Sequence, residues 1–125
     1  MNIQTVLLIF CGGGLGSVIR YILAKTLEHF SVSFPWATLC ANALGCFLIG
    51  ILLGGFSESE LLTAQQKLIL VTGFCGGLTT FSTFTFENYS FIKGGQLLHF
   101  FSYSLLSFGL CLGLVLLGQL FAKSF

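Results

Sequence analysis

Four apolar stretches, at residues 3–30, 35–56, 61–92 and 97–121, take up nearly the whole of this 125-residue chain. Each meets the requirement of about 20 residues for crossing a bilayer core, and the excess length implies tilt, interruption or protrusion. Only 7% of residues are charged and 55% are hydrophobic, against about 25% charged in soluble domains. The chain therefore reads as an all-α integral membrane protein, residues 1–125 forming a single domain of four transmembrane helices. The first stretch is too long for a cleavable signal peptide, carries Arg20 and lacks a basic leading region.

Charge placement adds a sharper constraint. Four spans put both termini on one side, together with the connection between spans two and three. Lys67 and Lys123 lie on that side, and Lys25 and Lys93 on the other, joined by Arg20 if it reaches the interface. Orientation follows the Lys/Arg asymmetry near span ends. Near balance points either to insertion in both orientations, and so to an antiparallel homodimer, or to one topology fixed by a weak bias.

Several function classes are excluded. A net charge of +1 offers no basic patch, so nucleic-acid binding has no support. There is no Walker loop, no nucleophile elbow and no carboxylate pair, so no enzyme is expected. Cys11, Cys40, Cys46, Cys75 and Cys111 stand singly, without C-x-x-C pairs or a His at ligand spacing. They read as small buried hydrophobes rather than a zinc or disulfide framework. His29 and His99 fall near span ends.

Four-residue glycine spacing recurs at Gly12/Gly16, Gly50/Gly54, Gly73/Gly77 and Gly109/Gly113, one pair per span. Such pairs let helix backbones approach closely. The segment from Gly73 to Phe86 goes further, packing paired glycines, hydroxyls and phenylalanines into an apolar span. Gly and Thr are poor helix formers, so the third helix is expected to break near its middle, around Gly76-Gly77. Backbone groups freed at membrane depth must be satisfied by protein or by an ion.

The polar residues inside the spans are the site candidates. Arg20 is either functional or snorkels to headgroups. Asn42, near the middle of span two with Thr38 and Cys46 one turn to either side, can donate to an anion or bond a neighbouring helix. Phe81 and Phe84 share a helix face, and ring edges carry positive potential that can stabilise a small anion when Ser82, Thr83 or Asn42 contribute donors. Glu87 borders a possible aqueous vestibule. Tyr103, Ser107 and Cys111 make a stripe along span four.

Three ordered motifs resemble the Fluc (CrcB) fluoride ion channel family over essentially the whole chain. They are Gly12-Gly13-x-x-Gly16-x-x-x-Arg20-Tyr21, then Thr38-Leu39-x-x-Asn42-x-x-Gly45-x-Phe47-x-x-Gly50, and finally Gly73-x-x-Gly76-Gly77-x-Thr79-Thr80-Phe81-Ser82-Thr83-Phe84. The resemblance implies a passive channel in the cell inner (plasma) membrane that exports cytoplasmic fluoride. It implies a dual-topology homodimer with two antiparallel pathways. A structural sodium ion at the interface would be held by the backbone carbonyls of Gly76 and Thr79. Asn42, Phe81, Ser82, Thr83, Phe84, Tyr103 and Ser107 match the family's pore positions, with Arg20 and Glu87 at the vestibule. Cys111 stands where a hydroxyl is expected, and a thiol donates more weakly. The alternative is a four-span proton-coupled exporter of small solutes, for which Glu87 would have to be the titrating group.

Overall fold

The computed structural model describes residues 1–55 and 62–125, and the described residues are helical apart from short connections. The expected end of the second stretch at Phe56, the start of the third at Leu61, and the polar connection Ser57-Glu58-Ser59-Glu60 lie outside the described residues. Helix α1 spans Ile3–Thr26, opened by the Asn2 side chain accepting from the Gln4 N–H. Helix α2 spans Trp36–Ile49 and runs on as wider π turns over Gly50–Gly55. Pro35 precedes it, where its missing N–H costs nothing.

Helix α3 begins at Ala64–Lys67 under a capping box in which Thr63 and Gln66 bond reciprocally. It continues as π turns over Leu68–Cys75 and closes with the α-helical turn Gly76–Leu78. Thr79 (φ −81°, ψ 158°) and Thr80 (φ −151°, ψ 123°) are extended, and helix α4 follows at Phe81–Lys93. Gly95, at φ 71°, takes the left-handed conformation that a glycine adopts without strain and turns the chain into helix α5, Leu97–Lys123. Among the described residues, four segments are long and apolar enough to cross a membrane: Ile3–Thr26, Trp36–Gly54, Ala64–Lys93 and Leu97–Lys123.

Two parallel helix pairs carry the packing. In the first, α1 lies against α3 with backbones in contact. A Cβ added at Gly12 would meet the Ile69 carbonyl, one at Gly16 the Phe74 carbonyl, and one at Gly77 the Gly13 carbonyl. In the second, α2 lies against α5, where Gly50 backs onto Val115 and Gly118 onto Phe47. The glycine spacing in α5 works differently from expectation. Gly109 and Gly113 face open space, and Gly118 makes that helix's close approach instead. Gly76-Gly77 is also corrected: both residues are in the helical turn, and the extended conformation falls on Thr79 and Thr80. Gly77 serves the contact with α1, while β-branched threonines favour extended backbone.

Buried residues are few, among them Leu39, Ala41, Cys75, Leu78 and Tyr103. Large apolar side chains such as Phe10, Leu98, Leu105 and Phe108 are mostly exposed. That is how a bundle is built when its outer solvent is hydrocarbon. Of the five cysteines only Cys75 is buried; Cys11 and Cys40 are exposed, and Cys46 and Cys111 are half-buried.

Candidate functional site

The parallel register of α2 and α5 builds the site. Gly50 stands level with Val115 and Gly54 with Gln119. Stepping back one turn at a time, the same offset sets Cys46 beside Cys111, Asn42 beside Ser107 and Thr38 beside Tyr103. Two stripes with four-residue spacing, read separately in the sequence, thus meet face to face.

Asn42 holds both backbone polar groups of one residue, Thr80. Its Oδ1 accepts from the Thr80 N–H at 2.7 Å and its Nδ2 donates to the Thr80 carbonyl at 3.1 Å. Of the two uses open to it from sequence, the structure shows the bond to a neighbouring helix. This side chain satisfies the extended residue that follows α3, whose N–H would otherwise be unpaired at membrane depth. Replacing Asn42 with Ala orphans both groups. Thermal unfolding in detergent is expected to register a loss of about 2–4 kcal/mol; a change of less than about 0.5 kcal/mol would contradict the bracing role.

A cleft of about 370 Å³ opens beside this brace, with Asn42, Phe81, Phe84, Ser107, Cys46 and Cys111 in its wall. The Phe81 and Phe84 ring centroids are 5.8 Å apart at 34°, and Phe84 lies 5.0 Å from the Tyr103 ring. The Ser107 hydroxyl is buried and, among the described residues, has no hydrogen-bond partner. An unsatisfied buried hydroxyl costs about 1–3 kcal/mol, so the cleft offers a donor to whatever enters it.

A second cleft, of about 300 Å³, contains Ser17, Arg20, Tyr21, Thr38, Thr80 and Thr83. Arg20 does not snorkel away: its Nε donates to the Gly77 carbonyl at 3.1 Å, and the Ser17 hydroxyl reaches the same oxygen at 3.5 Å. Among the described residues no carboxylate pairs with this guanidinium. Thr80 borders both clefts, so the extended residues lie between them. Thr38 and Glu87 border a third cleft, of about 260 Å³.

Glu87 is held from both sides. Its Oε1 accepts from the Thr38 hydroxyl and its Oε2 from the Tyr103 hydroxyl, each at 2.6 Å. Both carboxyl oxygens of Glu87 are thereby engaged by hydroxyls of neighbouring helices. Tyr103 is wholly buried and spends its hydroxyl on this bond. The predicted residues therefore divide among three clefts. Phe81, Phe84, Asn42 and Ser107 share one, Arg20 and Thr83 a second, and Glu87 the third. Ser82 joins none of them; it is exposed, its hydroxyl 3.3 Å from that of Thr80.

The carbonyls of Gly76 and Thr79 are both released from the helical ladder. The Thr80 N–H that would reach Gly76 goes to Asn42, and the Thr83 N–H that would reach Thr79 goes to the Thr80 hydroxyl at 3.3 Å. Gly76 is exposed. Two residues with clear roles were not singled out from sequence. Thr38 was visible as a neighbour one turn from Asn42 and as a motif position, without a role of its own. Thr80 acts through its backbone, which side-chain chemistry does not flag.

Fold and site together define a small polytopic membrane protein with hydroxyl- and ring-lined clefts on either side of an extended dipeptide. The family model described as CrcB-like protein, Camphor Resistance (CrcB), matches residues 7–119. The fluoride-specific ion channel FluC of Leptospira interrogans serogroup Icterohaemorrhagiae serovar copenhageni (strain Fiocruz L1-130) is 40% identical over 123 residues, 98% of this chain and 97% of that protein. The proteins of the same name from Flavobacterium psychrophilum and Pyrococcus abyssi are 39% identical over 121 residues and 37% over 123. These alignments cover 96% and 98% of this chain, and 98% and 99% of the relatives. The chain belongs to the CrcB family.

Proposed function

We propose that this chain is a passive, fluoride-selective channel of the cell membrane that lets cytoplasmic fluoride leave, and that it is not an enzyme. One observation carries the reading: the unpartnered Ser107 hydroxyl shares a cleft with the Phe81 and Phe84 rings. A small, strongly hydrated anion sheds water only where other donors replace it. A hydroxyl and positive ring edges supply that replacement without a fixed positive charge that would trap the ion. The name shared by the relatives, fluoride-specific ion channel FluC, agrees.

The proton-coupled exporter is not favoured. It would need a carboxyl group free to serve the transported solute, and both oxygens of Glu87 are engaged by the Thr38 and Tyr103 hydroxyls. Fluoride efflux from liposomes carrying the purified protein, read with a fluoride electrode, tests the proposal. Efflux is expected with potassium as shunt and no pH gradient; exchange that requires such a gradient, or no efflux, would contradict it.

The functional unit in this reading is an antiparallel homodimer with two pathways, the third helix broken between α3 and α4. The helix-end lysines support dual insertion: Lys25 and Lys93 close α1 and α4, while Lys67 and Lys123 lie at the opposite ends of α3 and α5. Reporters fused to the C-terminus are expected on both sides of the membrane. Two or three lysines added at residues 57–60 should force one orientation and reduce efflux; a single orientation in the unaltered chain would contradict this.

The same unit would hold a structural sodium ion. The donor set fits: the Gly76 and Thr79 carbonyls lack their helical donors, and a hard cation takes such oxygens without an acidic side chain. The ion would supply the positive charge that lets carbonyls from two copies converge. Dialysis of the dimer into a sodium-free buffer of a large organic cation is expected to weaken it, read by light scattering; an unchanged dimer would contradict the site.

A further inference from the structure

We propose that Cys46 and Cys111 form a two-thiolate site for a soft, linearly coordinating divalent metal ion, and that its occupancy closes the cleft beside Phe84. The blocking part of this rests on the fluoride-channel reading; the metal site does not. Nothing in the spacing of the cysteines along the chain indicates a pair. The pairing comes from the register of α2 against α5, which sets Cys46 level with Cys111 one turn from the direct backbone contact of Gly50 with Val115. Both are half-buried, and both border the 370 Å³ cleft that also contains Ser107, Phe81 and Phe84. Cys75, by contrast, is fully buried and outside that wall, and Cys11 and Cys40 lie exposed on other faces.

Two thiols side by side in a cleft wall whose other members are hydroxyls, one amide, an isoleucine and rings, with no carboxylate or imidazole among them, select for softness rather than for a tetrahedral or octahedral ion. The step conserves charge and needs no oxidant. Two S–H bonds break, two metal–sulfur bonds form, and both protons leave to water. A divalent ion leaves a neutral bis-thiolate, whereas a monovalent ion leaves a buried negative charge, which costs more at membrane depth. The metal then occupies the cleft one turn beyond the Ser107 hydroxyl, and the S–H donors that line this end are consumed.

The probe is mercuric chloride, added to the full chain in detergent. The readouts are metal–thiolate charge-transfer absorbance and the count of remaining free thiols. The Cys11→Ser/Cys40→Ser variant is expected to take up one ion per subunit and lose two free thiols. Cys46→Ser and Cys111→Ser should each weaken uptake at least tenfold, about the least that losing an outer partner of a bound metal costs. Uptake unchanged in both single variants, or lost in Cys46→Ser but kept in Cys111→Ser, would overturn the pair; the second result would assign the site to Cys46 and Cys75. In liposomes, one ion per subunit should abolish efflux in the Cys11→Ser/Cys40→Ser channel. Full metal uptake with undiminished efflux would overturn the block. Absence of efflux before any metal is added would count against the channel reading alone, and the absorbance titration would still decide the site.

Discussion

Phe84→Ile is expected to lower fluoride efflux at least about tenfold while leaving the protein folded and assembled. Ile keeps apolar bulk in the wall of the cleft but removes the ring, and with it the positive edge that faces an anion. Phe84 is the better of the two positions for this substitution. It is half-buried, lies 5.0 Å from the Tyr103 ring and borders the same cleft as the unpartnered Ser107 hydroxyl. The same ring quadrupole holds a cation over its face by about 2 kcal/mol or more at a desolvated site; an edge contact of similar size to an anion exceeds the roughly 1.4 kcal/mol that makes a tenfold change in rate. Phe81 is 79% exposed in the single chain, so its Ile variant reports on the ring only where another surface covers it. Normal efflux in both variants would remove the ring-edge argument.

Gly77→Ala is expected to be among the most destabilising single-atom additions to this chain. The new Cβ would press on the Gly13 carbonyl, with the Gly13 Cα and carbonyl carbon each at 3.0 Å, so relief requires moving helix backbone rather than a side chain. Separating α1 from α3 also strains the bonds that Arg20 and Ser17 make to the Gly77 carbonyl. Overpacking of this kind costs about 1–3 kcal/mol or more. Gly14→Ala is the matched control: nothing lies within 4 Å of a Cβ there, and Ala favours helix over Gly by about 1 kcal/mol. Thermal unfolding in detergent should separate the two variants clearly. Equal behaviour would mean that the α1–α3 backbone contact is not what holds this pair together.

The four spans were legible because hydrophobic length is a property of the sequence alone. The same is true of the resemblance carried by three ordered motifs. What the sequence left open was partnership between helices. Asn42 read as either an anion donor or a bond to a neighbouring helix, and the choice depends on Thr80, thirty-eight residues away. Gly76-Gly77 looked like the point of loosening because glycine is a poor helix former, yet tertiary packing against Gly13 uses that freedom for close approach, and the extended residues are the threonines that follow. Gly109 and Gly113 carry the same four-residue spacing as the packed pairs but meet nothing in the subunit. Spacing states that two helices can approach; it does not say which ones do. Likewise, Cys46 and Cys111 stood as unrelated residues until the parallel register of α2 and α5 set them side by side.

The central claim is that fluoride crosses passively through this protein. The most direct measurement is the reversal potential of the current across a planar bilayer containing the purified protein, with fluoride concentrations unequal on the two sides. The current is expected to reverse at the Nernst potential for fluoride and to keep that reversal when a pH gradient is imposed. A reversal potential that moves with the pH gradient, or that follows chloride when chloride is present, would contradict it.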